Sequence, residues 1–102
     1  MKLEFYPPEK LKKEIREIVG KYLNLGEYKV FFFGSRVLGK GSERSDIDVG
    51  IEGPKEIPSP IFLEIQEEIE NLPILYKIDV VDFKRVSLEF KKIALQSTEV
   101  VN

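Results

Sequence analysis

The stretch Phe31-Phe32-Phe33-Gly34-Ser35-Arg36-Val37-Leu38-Gly39-Lys40-Gly41-Ser42-Glu43-Arg44-Ser45-Asp46-Ile47-Asp48-Val49-Gly50-Ile51 constrains this chain more than any other. Four consecutive apolar residues, Val30 to Phe33, leave no polar side for water, so they predict a strand buried on both faces. That run stops at Gly34-Ser35, ten mixed residues follow, and a second apolar run opens with two aspartates two apart. In extended chain, side chains at i and i+2 share a face. Asp46 and Asp48 therefore point one way, roughly 6 to 7 Å apart at the backbone, while Ile47, Val49 and Ile51 point the other. Few structural roles need two carboxylates so placed, and a shared pair of divalent ions is one that does.

Each part of the motif has an ordinary reading. A Gly-Ser after a strand is most often a turn, a lone Asp-x-Asp recurs by chance, and a single Arg or Lys is most often a surface charge. Joined at this spacing between two strand-like runs, they point to phosphate chemistry. Gly34 allows a tight turn and close backbone approach, and Ser35 can donate its hydroxyl. Arg36 is the foremost candidate phosphate clamp, with Lys40 and Arg44 behind it. Ser45 either orders the start of the second strand or touches a phosphate. A third carboxylate should come from a neighbouring strand, and the candidates are Asp79 and Asp82. Tyr76, Ile78 and Val80 claim the core face, which puts Asp79 on the opposite side and Asp82 on the core side near the strand end.

Composition narrows the chemistry. Cysteine and histidine are both absent, which excludes disulfides, thiolate or imidazole metal sites and every His- or Cys-based nucleophilic triad. Carboxylates must do any catalytic work. The net charge of −2 lacks the basic excess of a protein that grips nucleic-acid phosphates, so direct nucleic-acid binding is not expected. No apolar run reaches the roughly 18 residues of a membrane span, and the N-terminus is no signal peptide. A cytoplasmic protein of one domain, residues 1–102, is the expectation.

Around the motif the spacing predicts a helix from Pro8 or Glu9 to about Asn24, with Leu11, Ile15, Ile18, Val19 and Tyr22 on its apolar stripe. Strand one covers about Lys29 to Phe33, a short helix Ser35 to Leu38, and strand two Asp46 to about Ile51. Ser59-Pro60 reads as an N-cap followed by proline, opening a helix with Ile61, Ile65, Ile69 and Leu72 on one stripe. Its other face carries Glu64, Glu67, Glu68 and Glu70 without a Lys or Arg, a solvated face or a docking surface for a basic partner. Strand three spans about Ile74 to Phe83, and Ser87 caps a last helix. Residues 96–102 show little pattern and read as a tail that frays or extends along a partner. The order of elements predicts a small α/β (α+β) domain, helices mainly on one face of a three- to four-stranded sheet.

Gly34-Ser35-Arg36, Gly39 and Ser45-Asp46-Ile47-Asp48 at this spacing resemble the signature of the DNA polymerase beta-like nucleotidyltransferases, and most of all their small stand-alone members, the minimal nucleotidyltransferases. The match is dense over residues 30–51 and thinner to about residue 83. The resemblance implies a mixed sheet and a magnesium-dependent reaction, two ions held by Asp46, Asp48 and Asp79, with ATP or another nucleoside triphosphate as substrate. It also points to Asp79, within Lys-Ile-Asp-Val, as third acid and general base. Larger members carry an added helical region, for which this chain is read as too short, so the second substrate would be presented by another protein or another copy of the chain. The small members are commonly paired with HEPN-family partners as antitoxin and toxin, and some transfer AMP to a partner tyrosine. An active enzyme and an antitoxin-like subunit that acts only by covering its partner are therefore both in view.

Overall fold

A strand buried on both faces needs a neighbour on either side, and that requirement orders the sheet. The structure is a computed structural model that describes residues 1–37 and 46–102. Its elements run α1 (Pro8–Gly20), β1 (Lys29–Phe33), β2 (Ile47–Glu52), α2 (Ser59–Glu70), β3 (Ile78–Asp82), α3 (Leu88–Ala94) and β4 (Thr98–Val100). The strands lie in the order β3-β2-β1-β4. β2 pairs antiparallel with β1 and parallel with β3, while β4 pairs antiparallel with the other side of β1. The sheet is thus mixed and four-stranded, and Val30 to Phe33 are buried as the apolar run requires.

One face holds the main core. Leu11, Ile15, Ile18 and Val19 of α1 and Ile65 and Ile69 of α2 pack on Val30, Phe32, Ile47, Val49, Ile51, Ile78 and Val80. The other face carries a smaller aromatic cluster. Phe83 sits edge-on to Phe31 and Phe33, with centroids at 4.9 and 5.1 Å, and Phe90 of α3 stands 6.0 Å from Phe33. Gly50 faces this cluster and makes room for it, since a Cβ there would lie 2.5 Å from the Phe31 ring and 2.6 Å from the Phe83 ring. Two helices on one face and a short third on the other refine the expectation of helices mainly on one side.

Several boundaries differ from the sequence reading, each for a local reason. α1 ends at Gly20 rather than Asn24, because Lys21 and Tyr22 donate to carbonyls three residues back and tighten the final turn. Asn24 then opens a turn, accepting from Glu27 and Tyr28 N–H at 3.0 Å. Ser59 lies inside α2 instead of capping it, and the cap is Pro58 with no side-chain bond. β3 begins at Ile78, where pairing with Ile47 of β2 starts, so residues 74–77 lead in without being strand. Ser87 does cap α3, its hydroxyl accepting from Phe90 N–H at 3.1 Å. The acidic face of α2 is not wholly outward either. Glu68 turns back to Lys21 and Tyr22, so the cation missing from α2 comes from the residue that follows α1.

The largest difference is the tail. Residues 98–100 form β4 against β1, Val101 is buried and donates its N–H to Val30 O at 2.9 Å. The Asn102 side chain accepts from Val30 N–H at 2.8 Å and donates to Tyr28 O at 2.9 Å. Arg16 donates to Val101 O at 2.7 Å, and Glu99 pairs with Lys12 at 2.9 Å. A three-residue strand is too short for periodicity to reveal, and its anchors are single side chains. Val101→Ala should lower the unfolding free energy by about 1.5 kcal/mol, two methylene equivalents of buried area. Urea unfolding with no change in midpoint would show that the tail does not belong to the core.

Candidate active site

The loss of apolar pattern after Phe33 coincides with a backbone that only glycine adopts easily. Gly34 has φ +87°, and a Cβ at that position would run into Asp48 Oδ2. Positive φ and close approach to a carboxylate both demand glycine here. Val37 N–H donates to Gly34 O at 3.2 Å, so residues 34–37 form a turn where the sequence suggested a short helix. Leu38, Gly39, Lys40, Arg44 and Ser45 lie outside the described residues.

The strand registers then set the acids. Asp79 of β3 pairs with Asp48 of β2, Asp48 pairs with Phe33 of β1, and Phe33 pairs with Thr98 of β4. A single line across the sheet therefore reads Asp79, Asp48, Phe33, Thr98, with the Gly34 turn one residue beyond. Alternation puts Asp48 and Asp79 on the face of the aromatic cluster, away from α1 and α2, as parity required. Asp46 precedes β2 and is placed by Ile47 N–H donating to Lys77 O at 2.9 Å. Lys77 Nζ lies 3.8 Å from Asp79 Oδ1 and 4.0 Å from Asp46 Oδ2.

The electrostatics match a crowded acid site. Burial, then repulsion from Asp79 and Asp46, pushes the Asp48 carboxyl above its usual range. Asp79 is also raised, first by burial, then by its contact with the Asp46 carboxyl and repulsion from Asp46 and Glu70, with Lys77 pulling the other way. The Lys77 ammonium thus sits where a divalent cation would relieve the same repulsion. The donor set is all oxygen, which suits magnesium. Among the described residues, however, no three acidic side chains are already closed into a cation-holding group. The structure brings Asp46 to Asp79 and Asp48 beside Asp79, short of a finished cage.

Other expected positions fall as follows. Asp82 is buried on the core side, accepting from Ile57 N–H at 2.8 Å and Lys84 N–H at 3.0 Å, with Arg85 Nε at 3.4 Å. It anchors the chain after β2 and is no part of the acid row. The Arg36 guanidinium lies 4.6 Å from the centroid of the Tyr76 ring. Tyr76 in turn accepts from Glu4 and Phe5 N–H at 2.9 and 3.1 Å. Sequence reasoning missed Tyr76 and Lys77 as site neighbours. Their place next to Asp79 was the available signal.

The family model described as Polymerase beta, Nucleotidyltransferase matches residues 9–102. The chain belongs to that family. A relative from Haemophilus influenzae, the probable protein adenylyltransferase MntA, is 28% identical over 67 residues, 66% of this chain and 59% of its own length. The chain thus matches well under two thirds of that relative. Among solved structures, a toxin-antitoxin with AMP-PNP aligns with TM-score 0.72 and 15% identity over 89% of this chain and 72% of the other. A tri-AMPylated Shewanella oneidensis HEPN toxin in complex with MNT antitoxin aligns with TM-score 0.69 and 13% identity, covering 92% of this chain and 71% of the other. At these identities the likeness is one of fold, and it includes the mixed sheet.

The raised acids carry a signed consequence. Between the ordinary carboxyl value of 3.8 and the raised value, the folded form binds more protons than the unfolded, so stability falls as pH rises through that window. Above that window the metal-free protein carries the whole penalty. Asp48→Asn should therefore melt at a higher temperature than the parent at pH 7 with chelator, and the gap should close as pH approaches 4. A variant that melts lower at both pH values would contradict the repulsion.

Proposed function

We propose that this chain is a magnesium-dependent nucleotidyltransferase that moves AMP from ATP to a hydroxyl of a protein acceptor, the acceptor being a HEPN-type toxin for which it acts as antitoxin. The observation that carries the reading is the line Asp79, Asp48, Phe33 with the Gly34 turn against Asp48. Family membership supplies the reaction class, and the name of the Haemophilus influenzae relative supports a protein acceptor.

Asp46, Asp48 and Asp79 would hold magnesium, two ions in this family's chemistry, which when bound neutralises the triphosphate and polarises the α-phosphorus. The chain's own groups do the rest. The Gly34 turn admits phosphate oxygens close to the backbone, and the Ser35 hydroxyl donates to them, with Arg36 and Ser45 as further contacts. Asp79, on the outer strand of the acid row, takes the proton from the acceptor hydroxyl as its oxygen bonds to the α-phosphorus. The bond from that phosphorus to the bridging oxygen of the β-phosphate breaks, and pyrophosphate leaves on the Gly34 side.

A second reading is favoured by one feature, the acid row that is not closed into a cage among the described residues. On that reading the chain neutralises its partner by complex formation and transfers little or nothing. Incubating the chain with ATP, magnesium and a co-purified or genetically adjacent partner separates the two. We expect intact-mass spectra of the partner to gain AMP units, at a rate that falls by about a hundredfold or more in Asp48→Asn. Tight association with no added mass would establish the second reading instead.

A further inference from the structure

Between the Gly34-Ser35 turn and the C-terminal end of α3 lies a cleft of about 570 Å³. Phe33 contributes from β1, Phe90, Ile93 and Ala94 from α3, and Gln96 and Ser97 from the segment leading into β4. We propose that this cleft holds the base of the nucleotide, with Phe90 as its aromatic wall and Gln96 reading the adenine edge. The inference rests on the nucleotidyl-transfer reading and adds to it a specificity site.

Position comes first. The cleft shares Gly34 and Ser35 with the proposed phosphate turn, and it opens on the same face as the acids, because Phe33 is the register partner of Asp48. Its far rim, Ser97, precedes Thr98, which pairs with Phe33 on the other side. Acid row and cleft therefore lie along one line across the sheet, at about 4.8 Å per strand. The acceptor oxygen and the departing pyrophosphate occupy the two ends of the line through the α-phosphorus, near Asp79 and Gly34. The ribose leaves that phosphorus sideways and can turn over Phe33 toward α3.

The chemistry of the lining fits the same occupant. A nucleobase offers two apolar faces and a polar edge. Phe90 is 42% exposed although it stands edge-on to the buried Phe33, and Ile93 is 70% exposed. α3 has no buried residue, so Phe90 and Ile93 keep apolar surface open at the cleft even though Phe90 also packs on Phe33 and Phe83. The Gln96 amide can donate and accept at once, the pairing that matches adenine N6 and N7, and Ser97 can do either. The volume falls in the range usual for small-molecule sites.

Calorimetric titration of the full chain with ATP, GTP and inorganic tripolyphosphate, each with magnesium, tests this. The parent should bind ATP about tenfold more tightly than tripolyphosphate. Phe90→Ala should weaken ATP about five- to tenfold, as loss of one stacking wall does, while tripolyphosphate is bound as before. Gln96→Ala, at an exposed position, should narrow the preference for ATP over GTP without disturbing the fold. If tripolyphosphate binds and needs Asp48, yet neither variant affects ATP, the base is elsewhere and only this inference fails. Unchanged ATP affinity with slower transfer would make the cleft an acceptor site, and unchanged affinity with a dimer lost on sedimentation would make it an interface between copies. Either overturns the proposal. No binding of either ligand by the parent would overturn the function and the inference together.

Discussion

The pairing of β2 between β1 and β3 is the constraint on which everything else depends. Asp48 is opposed by Asp79 on one side and Phe33 on the other, and a slip of one residue in either ladder would send a carboxylate into the apolar core. That slip is prevented by Ile47, Val49 and Ile51, all fully buried under α1 and α2. The hydrophobic face of β2 thus fixes the position of the acids on its opposite face. The candidate site and the core use alternate residues of the same six-residue strand.

The acids in turn carry a cost that the fold tolerates. Two of them are held above their ordinary ionisation range, and the cation beside Asp46 and Asp79 is an exposed lysine, Lys77. One ammonium does not satisfy three carboxylates as a divalent ion would. Gly34 extends the same logic to the backbone, since its positive φ and the nearness of Asp48 leave no room for any side chain. The turn and the acid are fitted to each other before any ligand arrives.

Much of this was legible in the residues. Four apolar residues in a row declared the central strand, alternation declared the faces of β2 and β3, and parity separated the outward Asp79 from the buried Asp82. What stayed hidden was set by contacts distant in sequence. β4 is three residues long and is recognisable only by its pairing with β1, and its anchors Val101 and Asn102 carry no local signal. Glu68 looked outward because its partners, Lys21 and Tyr22, lie just past the end of another helix. The stacking of Arg36 on Tyr76 likewise depends on a residue forty positions on.

The central claim is that acids from β2 and β3 gather divalent cations beside the Gly34 turn. Manganese, a paramagnetic substitute for magnesium, reports this directly through line broadening in the amide NMR spectrum with ATP present. The account predicts strong broadening at Gly34, Ser35, Asp48 and Asp79, sparing Val19 and Glu68 on the opposite side, and loss of the pattern in Asp48→Asn. Broadening centred on the glutamates of α2, or unchanged by that substitution, would contradict it.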